Sequence, residues 1–154
     1  MAVAAAPPAP GRAGPVDAGA LLDAIGVGTV ADADGRDHNL RALIAARQTT
    51  MLLFLSSQCS ACVRVRQHIE SGAGGSDLQF VALIDALDDA HQTPPGSALA
   101  VYLDSADIAS ANGIRAFPSA IVVDAELHPV SELLTGSTEI RRSIRAHQGA
   151  LADA

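Results

Sequence analysis

The chain has two cysteines, Cys59 and Cys62, three positions apart in the run Cys59-Ser60-Ala61-Cys62. Two thiols at that spacing can form half of a zinc site, hold Cu(I), or pass two electrons by opening and closing a disulfide. A structural zinc site takes four ligands. There is no third cysteine, and His38, His68, His91, His128 and His147 never recur at the three-to-five-residue spacing of a histidine half-site. Zinc is therefore disfavoured unless two chains share a site. Cu(I) suits soft thiolates, but no Met-rich or His-rich segment accompanies the pair. A redox-inert scaffold gives no reason for two cysteines at this spacing.

The elements around the motif favour the redox reading. Residues 50–56 are a continuous apolar run. Continuous rather than alternating hydrophobicity predicts a strand buried on both faces, as in the centre of an α/β sheet. Val63, Val65 and Ile69 then suit a helix that starts at about Ser60 and ends at the glycine break of 72–75. Cys59 thus falls at a helix N-terminus, where unpaired N–H groups and the helix dipole favour a thiolate. Cys62 lies one turn on, close enough to close a small disulfide ring. Arg64 and Arg66 add positive charge to the same helix.

The rest of the chain supplies one domain. Its 154 residues are 49% hydrophobic, with three Phe, one Tyr and no Trp, so the core must be aliphatic. The net charge is −7, and all ten basic residues are arginines with no basic run. Such a chain is a poor binder of nucleic acid or anionic lipid. No stretch approaches the ~18 apolar residues of a membrane span. Residues 1–17, rich in Ala and Pro, read as a flexible arm or linker stub, and 18–154 as the domain. The first ten residues lack the charged and Leu-rich regions of a signal peptide. The expectation is a cytoplasmic protein, or the soluble part of one whose anchor or signal was removed.

Short helices are expected over 18–25 and 39–47, and a strand over 27–31 with a hairpin at Asp34-Gly35. Further strands are expected over 78–84, 99–103 and 120–123. Asp104 or Ser105 caps a helix running to Ala111, with Asn112-Gly113 as its stop. Residues 130–135 form an antiparallel partner after a turn at 126–129. The last helix buries Ile140, Ile144 and Leu151. The order strand–helix–strand, then helix–strand–strand–helix, predicts an α/β fold with a mixed sheet flanked by helices.

Residues 52–62, with the block Phe54-Leu55-Ser56 before the CxxC, and the later run 113–124 with Phe117-Pro118 before a strand, together resemble the thioredoxin superfamily. The closest likeness is to its TlpA-like branch, including the MauD-type proteins of methylamine utilisation, and it spans roughly 26–148. The resemblance implies a thioredoxin-like sheet and thiol–disulfide exchange with protein substrates and an electron donor or acceptor. It makes Cys59 the attacking thiolate and Cys62 the resolving thiol. It also implies a cis Pro118, with the Phe117 backbone open to a docking peptide strand. No organic cofactor is needed, because the disulfide carries the electrons. A MauD-type role would place the protein outside the cytoplasm, where it would mature a disulfide-rich enzyme subunit such as that of a quinoprotein amine dehydrogenase.

The chain departs from the family pattern in places. Gln58 stands where many thioredoxins have Trp, no acid lies within 52–55, and no Lys exists anywhere. Ser60-Ala61 contains no His, so the extra thiolate stabilisation of strongly oxidising members is missing. Three other patterns are set aside. Gly26, Gly28 and Ala31 match GxGxxA, but a helix rather than a strand precedes them. Asp85, Asp88 and Asp89 fit no EF-hand spacing and read as a solvated acidic loop. His68 is expected to be exposed, pointing away from the cysteines.

Overall fold

The computed structural model describes residues 16–45, 49–72, 78–87 and 98–153. The arm expected at 1–17 therefore lies largely outside the described residues, as do Asp88 and Asp89. The chain enters with helix α1, Ala18–Val27, whose N-cap Asp17 accepts the Gly19 and Ala20 N–H groups. Strands β1, Thr29–Ala31, and β2, Asp37–Asn39, form a hairpin and lead into α2, Leu40–Ala45. The tip of that hairpin is built by Asp32, whose carboxylate accepts the Asp34 and Arg36 N–H groups, and by Gly35 at φ 81°.

The centre follows as β3, Thr49–Leu55, then α3, Ser60–Gly72, then β4, Leu78–Ile84, and β5, Leu99–Leu103. A short α4, Ile108–Ala111, leads to β6, Ser119–Asp124, β7, Leu134–Thr135, and the closing α5, Ser137–Asp153. The seven strands make one sheet in the order β2-β1-β5-β4-β3-β6-β7. Strands β3, β4 and β5 run parallel, whereas β6 is antiparallel to β3. The expected mixed sheet flanked by helices is the one observed.

The continuous apolar runs have their explanation in two cores, one on each face. Met51, Leu53 and Leu55 point to the core closed by α3 and α5, where Cys62, Val65, Ile69, Ile140 and Ile144 are buried. Leu52 and Phe54 point to the other core, closed by α1, α2 and α4. Every second residue of β3 from Met51 to Leu55 serves each face, and the one buried polar side chain of the strand, Thr50, donates its hydroxyl to Gln79 Oε1 at 3.0 Å.

Several boundaries differ from the sequence expectation. Helix α1 continues through Val27, so the strand expected from 27 starts at Thr29. The junction is Gly28, where a Cβ would lie 2.7 Å from Ile108 Cδ1 and 2.9 Å from the Ala24 carbonyl oxygen. Helix α2 is described over Leu40–Ala45, and the rest of the helix expected to reach 47 lies outside the described residues. The helix suited by Val63, Val65 and Ile69 is present, with Val63 49% exposed because Cys62, Val65 and Ile69 fill the inward positions. The partner expected over 130–135 pairs as a strand only at Leu134–Thr135. The Val130 N–H still donates to the Val122 carbonyl at 2.7 Å, but the Val122 N–H goes to the Ser131 hydroxyl at 3.0 Å, which donates to the Glu132 carbonyl. Ile140 and Ile144 are buried as expected, and the Leu151 side chain lies outside the described ones.

Candidate active site

Because β3, β4 and β5 are parallel, their C-terminal ends open at the same edge of the sheet, the usual place for a site in an α/β fold. That edge carries the turn 56–59 after β3, Asp85 after β4 and Asp104 after β5. The turn uses its backbone donors locally. Ser57 N–H donates to Asp85 Oδ1 at 2.7 Å, Gln58 N–H to Ser56 Oγ at 3.2 Å, and Cys59 N–H to the Ser56 carbonyl at 3.3 Å. Helix α3 then starts at Ser60, so Cys59 sits immediately before its first turn, as expected.

Cys59 and Cys62 are joined in a disulfide with a Cα–Cα distance of 5.2 Å. The two sulfurs have different surroundings. Cys62 is 2% exposed within the α3–α5 core, whereas Cys59 is half-buried at its margin. The Cys59 sulfur accepts the Cys62 N–H at 3.1 Å, so a donor at the helix N-terminus points at it. Arg64 is exposed and Arg66 half-buried on the same helix.

The opposite wall comes from β6. Its antiparallel register sets Phe54 against Ser119, so the residues just before β6 arrive beside the turn that follows β3. The Phe117–Pro118 peptide is cis. Pro118 is buried, and Phe117 is half-buried and packs against both cores. Its carbonyl oxygen lies 3.5 Å from the Cys59 sulfur. Ser119 ties this corner down by donating its hydroxyl to the Ala116 carbonyl. The fold thus brings together all four residues singled out in the sequence: Cys59, Cys62, Phe117 and Pro118.

Two further acids stand at this edge: Asp85, which had no sequence expectation of a role here, and Asp104, which was expected only as a helix cap. Asp85, read from the sequence as part of an acidic loop, bonds both the Ser57 N–H and, at 3.3 Å, the Ser57 hydroxyl. Asp104 accepts the Ile108 and Ala109 N–H groups at 2.8 and 3.0 Å and so caps α4 from four residues upstream. Between them opens a cleft of about 140 Å³, lined by Leu55, Ser56, Asp85, Asp104, Asp107 and Phe117. The available signal was positional, since each acid is the first residue after a buried parallel strand.

His68 departs from the expectation of an exposed side chain. It is half-buried on α3, and its Nε2 is fully covered without a hydrogen-bond partner among the described residues. Burial, and then the positive charges of Arg145 and Arg141 on α5, hold its pKa below the ordinary value of 6.5. At the far end of β6, Asp124, Glu126 and His128 place their ligand atoms within 4.8 Å of one another. The Asp124 carboxylate is already used there to accept the Glu126 and His128 N–H groups of the turn.

The mixed sheet, the disulfide at the start of α3 and the Phe117 carbonyl beside it fit a thioredoxin fold, and solved structures share it. No protein-family model matches the chain, and no curated protein sequence does. Solved structures are similar in fold. A secreted disulfide oxidoreductase of Mycobacterium tuberculosis, homologous to Escherichia coli DsbE, aligns with TM-score 0.59 at 14% identity, over 80% of this chain and 98% of its own. StoA of Bacillus subtilis aligns with TM-score 0.55 at 14% identity, over 76% and 92%. The exposed lipoprotein thioredoxin of Streptococcus pneumoniae aligns with TM-score 0.52 at 18% identity, over 77% and 97%. No helix among the described residues is long and apolar enough to cross a membrane.

Proposed function

We propose that the protein is a thiol–disulfide oxidoreductase acting on protein substrates, with Cys59 as nucleophile and Cys62 as resolving thiol. The observation that carries this reading is the asymmetry of the pair, with one sulfur at the margin beside the Phe117 carbonyl and the other buried. In the reducing direction the Cys59 thiolate attacks a substrate disulfide. A Cys59–substrate bond forms, and one substrate thiolate leaves. The Cys62 thiolate then attacks the Cys59 sulfur, the intramolecular disulfide closes, and the second substrate thiolate leaves. Two electrons pass to the substrate, and the reverse sequence oxidises a substrate dithiol.

The backbone at Phe117, next to the buried Pro118, is the edge on which a substrate strand pairs. No organic cofactor enters, since the sulfurs carry the electrons. The secreted and exposed proteins among its structural neighbours support a place outside the cytoplasm, and the MauD-type resemblance supports a role in maturing an extracytoplasmic enzyme. The test is reduction of a model protein disulfide by the dithiol form, followed by thiol titration with and without Cu(I). Turnover of the protein disulfide is the expected result. Stoichiometric Cu(I) uptake without turnover would replace this reading with that of a copper-carrying module.

A further inference from the structure

We propose that Asp85 is a positioning residue for Cys59, acting through Ser57; the inference rests on Cys59 being the nucleophile. Asp85 and Ser57 are 28 residues apart in sequence, and their two bonds link the end of β4 to the cysteine turn. The 2.7 Å bond from the Ser57 N–H has the short length of a charge-assisted contact. It fixes the turn two residues before Cys59. The next two N–H groups of the turn are committed to Ser56, so neither is aimed at the sulfur. The donor that does reach the sulfur is the Cys62 N–H, and it does so only while Cys59 holds its place before the first turn of α3. Anchoring Ser57 therefore keeps the Cys59 sulfur on the helix N-terminus and beside the Phe117 carbonyl.

Geometry and charge make opposite demands here. Asp85 is exposed, so its negative charge is screened by solvent. To the extent that this charge reaches Cys59, it opposes the thiolate. A carboxylate kept for its charge would slow the nucleophile, whereas one kept for its bonds speeds it. The asparagine side chain separates the two roles. Its oxygen can accept the Ser57 N–H, and its NH2 can donate to the Ser57 hydroxyl, which reverses its role from donor to acceptor.

The experiment measures iodoacetamide alkylation of Cys59 against pH in the reduced protein for wild type, Asp85→Ala, Asp85→Asn and Asp85→Glu, with circular dichroism to verify the fold. Asp85→Ala should alkylate about fivefold more slowly at pH 7, with its profile moved to higher pH, the scale expected for a slightly misplaced reacting group. Asp85→Asn should stay within about twofold of wild type. Asp85→Glu keeps the charge but moves the carboxylate by one methylene, and should slow the reaction like Asp85→Ala. The Asn and Glu variants decide the matter even if Asp85→Ala does not fold. Faster or unchanged alkylation in Asp85→Ala, Asp85→Asn as slow as Asp85→Glu, or Asp85→Glu reacting like wild type would each overturn the inference. Because the probe is a small molecule, a failure here is distinct from a failure of the oxidoreductase reading, which shows as absent turnover of a protein disulfide by wild type.

Discussion

The carbonyl oxygen of Phe117 lies 3.5 Å from the sulfur of Cys59, across 58 residues of sequence. The antiparallel register of β3 and β6 produces this closeness, because the chain leaves β3 at Leu55 where it enters β6 at Ser119. Any partner strand pairing along Phe117 is thereby delivered to the more accessible of the two sulfurs.

The proposed roles of the two sulfurs, drawn from their different burial, predict different trapping by the two serine variants. Cys62→Ser should accumulate mixed disulfides with substrate proteins, because nothing remains to resolve them, and Cys59→Ser should accumulate almost none. In the reduced protein Cys59 should alkylate faster than Cys62 at neutral pH, because it is the more exposed sulfur and faces the Cys62 N–H at the start of α3. Mass spectrometry of trapped adducts checks this, and equal trapping by both variants would reverse the assignment.

The dipeptide between the cysteines sets an expectation for the potential. Ser60-Ala61 offers no imidazolium to stabilise the reduced thiolate. The disulfide should be less oxidising than the ~−120 mV of DsbA, within about −180 to −270 mV. Equilibration with glutathione buffers measures it, and a value above that of DsbA would refute the argument from Ser60-Ala61.

His68 should make stability fall with acid. Its folded pKa lies below its unfolded value of 6.5, through burial and then through Arg145 and Arg141. The neutral form is thus favoured by folding. Its contribution is fully present above about pH 6.5 and is lost as pH falls from there through the lowered folded pKa. His68→Leu should therefore lose less melting temperature between pH 7.5 and 5 than wild type. The lowered carboxylates Asp32 and Asp124 act in the same direction but are common to both proteins. Parallel melting curves for the two proteins would remove His68 from the account.

Gly28 is required by space. An added Cβ meets the Ala24 backbone oxygen at 2.9 Å as well as the Ile108 side chain, and only the latter can move aside. Gly28→Ala should cost about 1–3 kcal/mol as an overpacking change. Denaturant unfolding checks it, and an unchanged midpoint would mean that α1 shifts freely against α4.

The buried strands and the place of the cysteine pair between strand and helix were legible from the residues themselves. The apolar runs in β3 and β4 predicted buried strands, and the spacing of Val63, Val65 and Ile69 before a glycine break predicted a helix starting at the CxxC. These are local facts, set by side-chain period and by the unpaired N–H groups of a helix start. The Phe117-Pro118 pair before β6 was legible only through its resemblance to a family.

The tertiary structure decided what depends on register and on contacts between distant segments. Strand β7 is short, and beside it the Ser131 hydroxyl rather than a backbone carbonyl takes the Val122 N–H. The coverage of His68 Nε2 on α3, opposite the arginines of α5, could not be read from its spacing to Cys62, because the helix facing α3 comes about 70 residues later. Asp85 looked like one acid of a solvated loop, since composition cannot show that the parallel pairing of β3 and β4 puts its carboxylate on the backbone of Ser57. Sequence carries the period of each element and the chemistry of each side chain; which backbone donor a given carboxylate meets is set only when the strands pair.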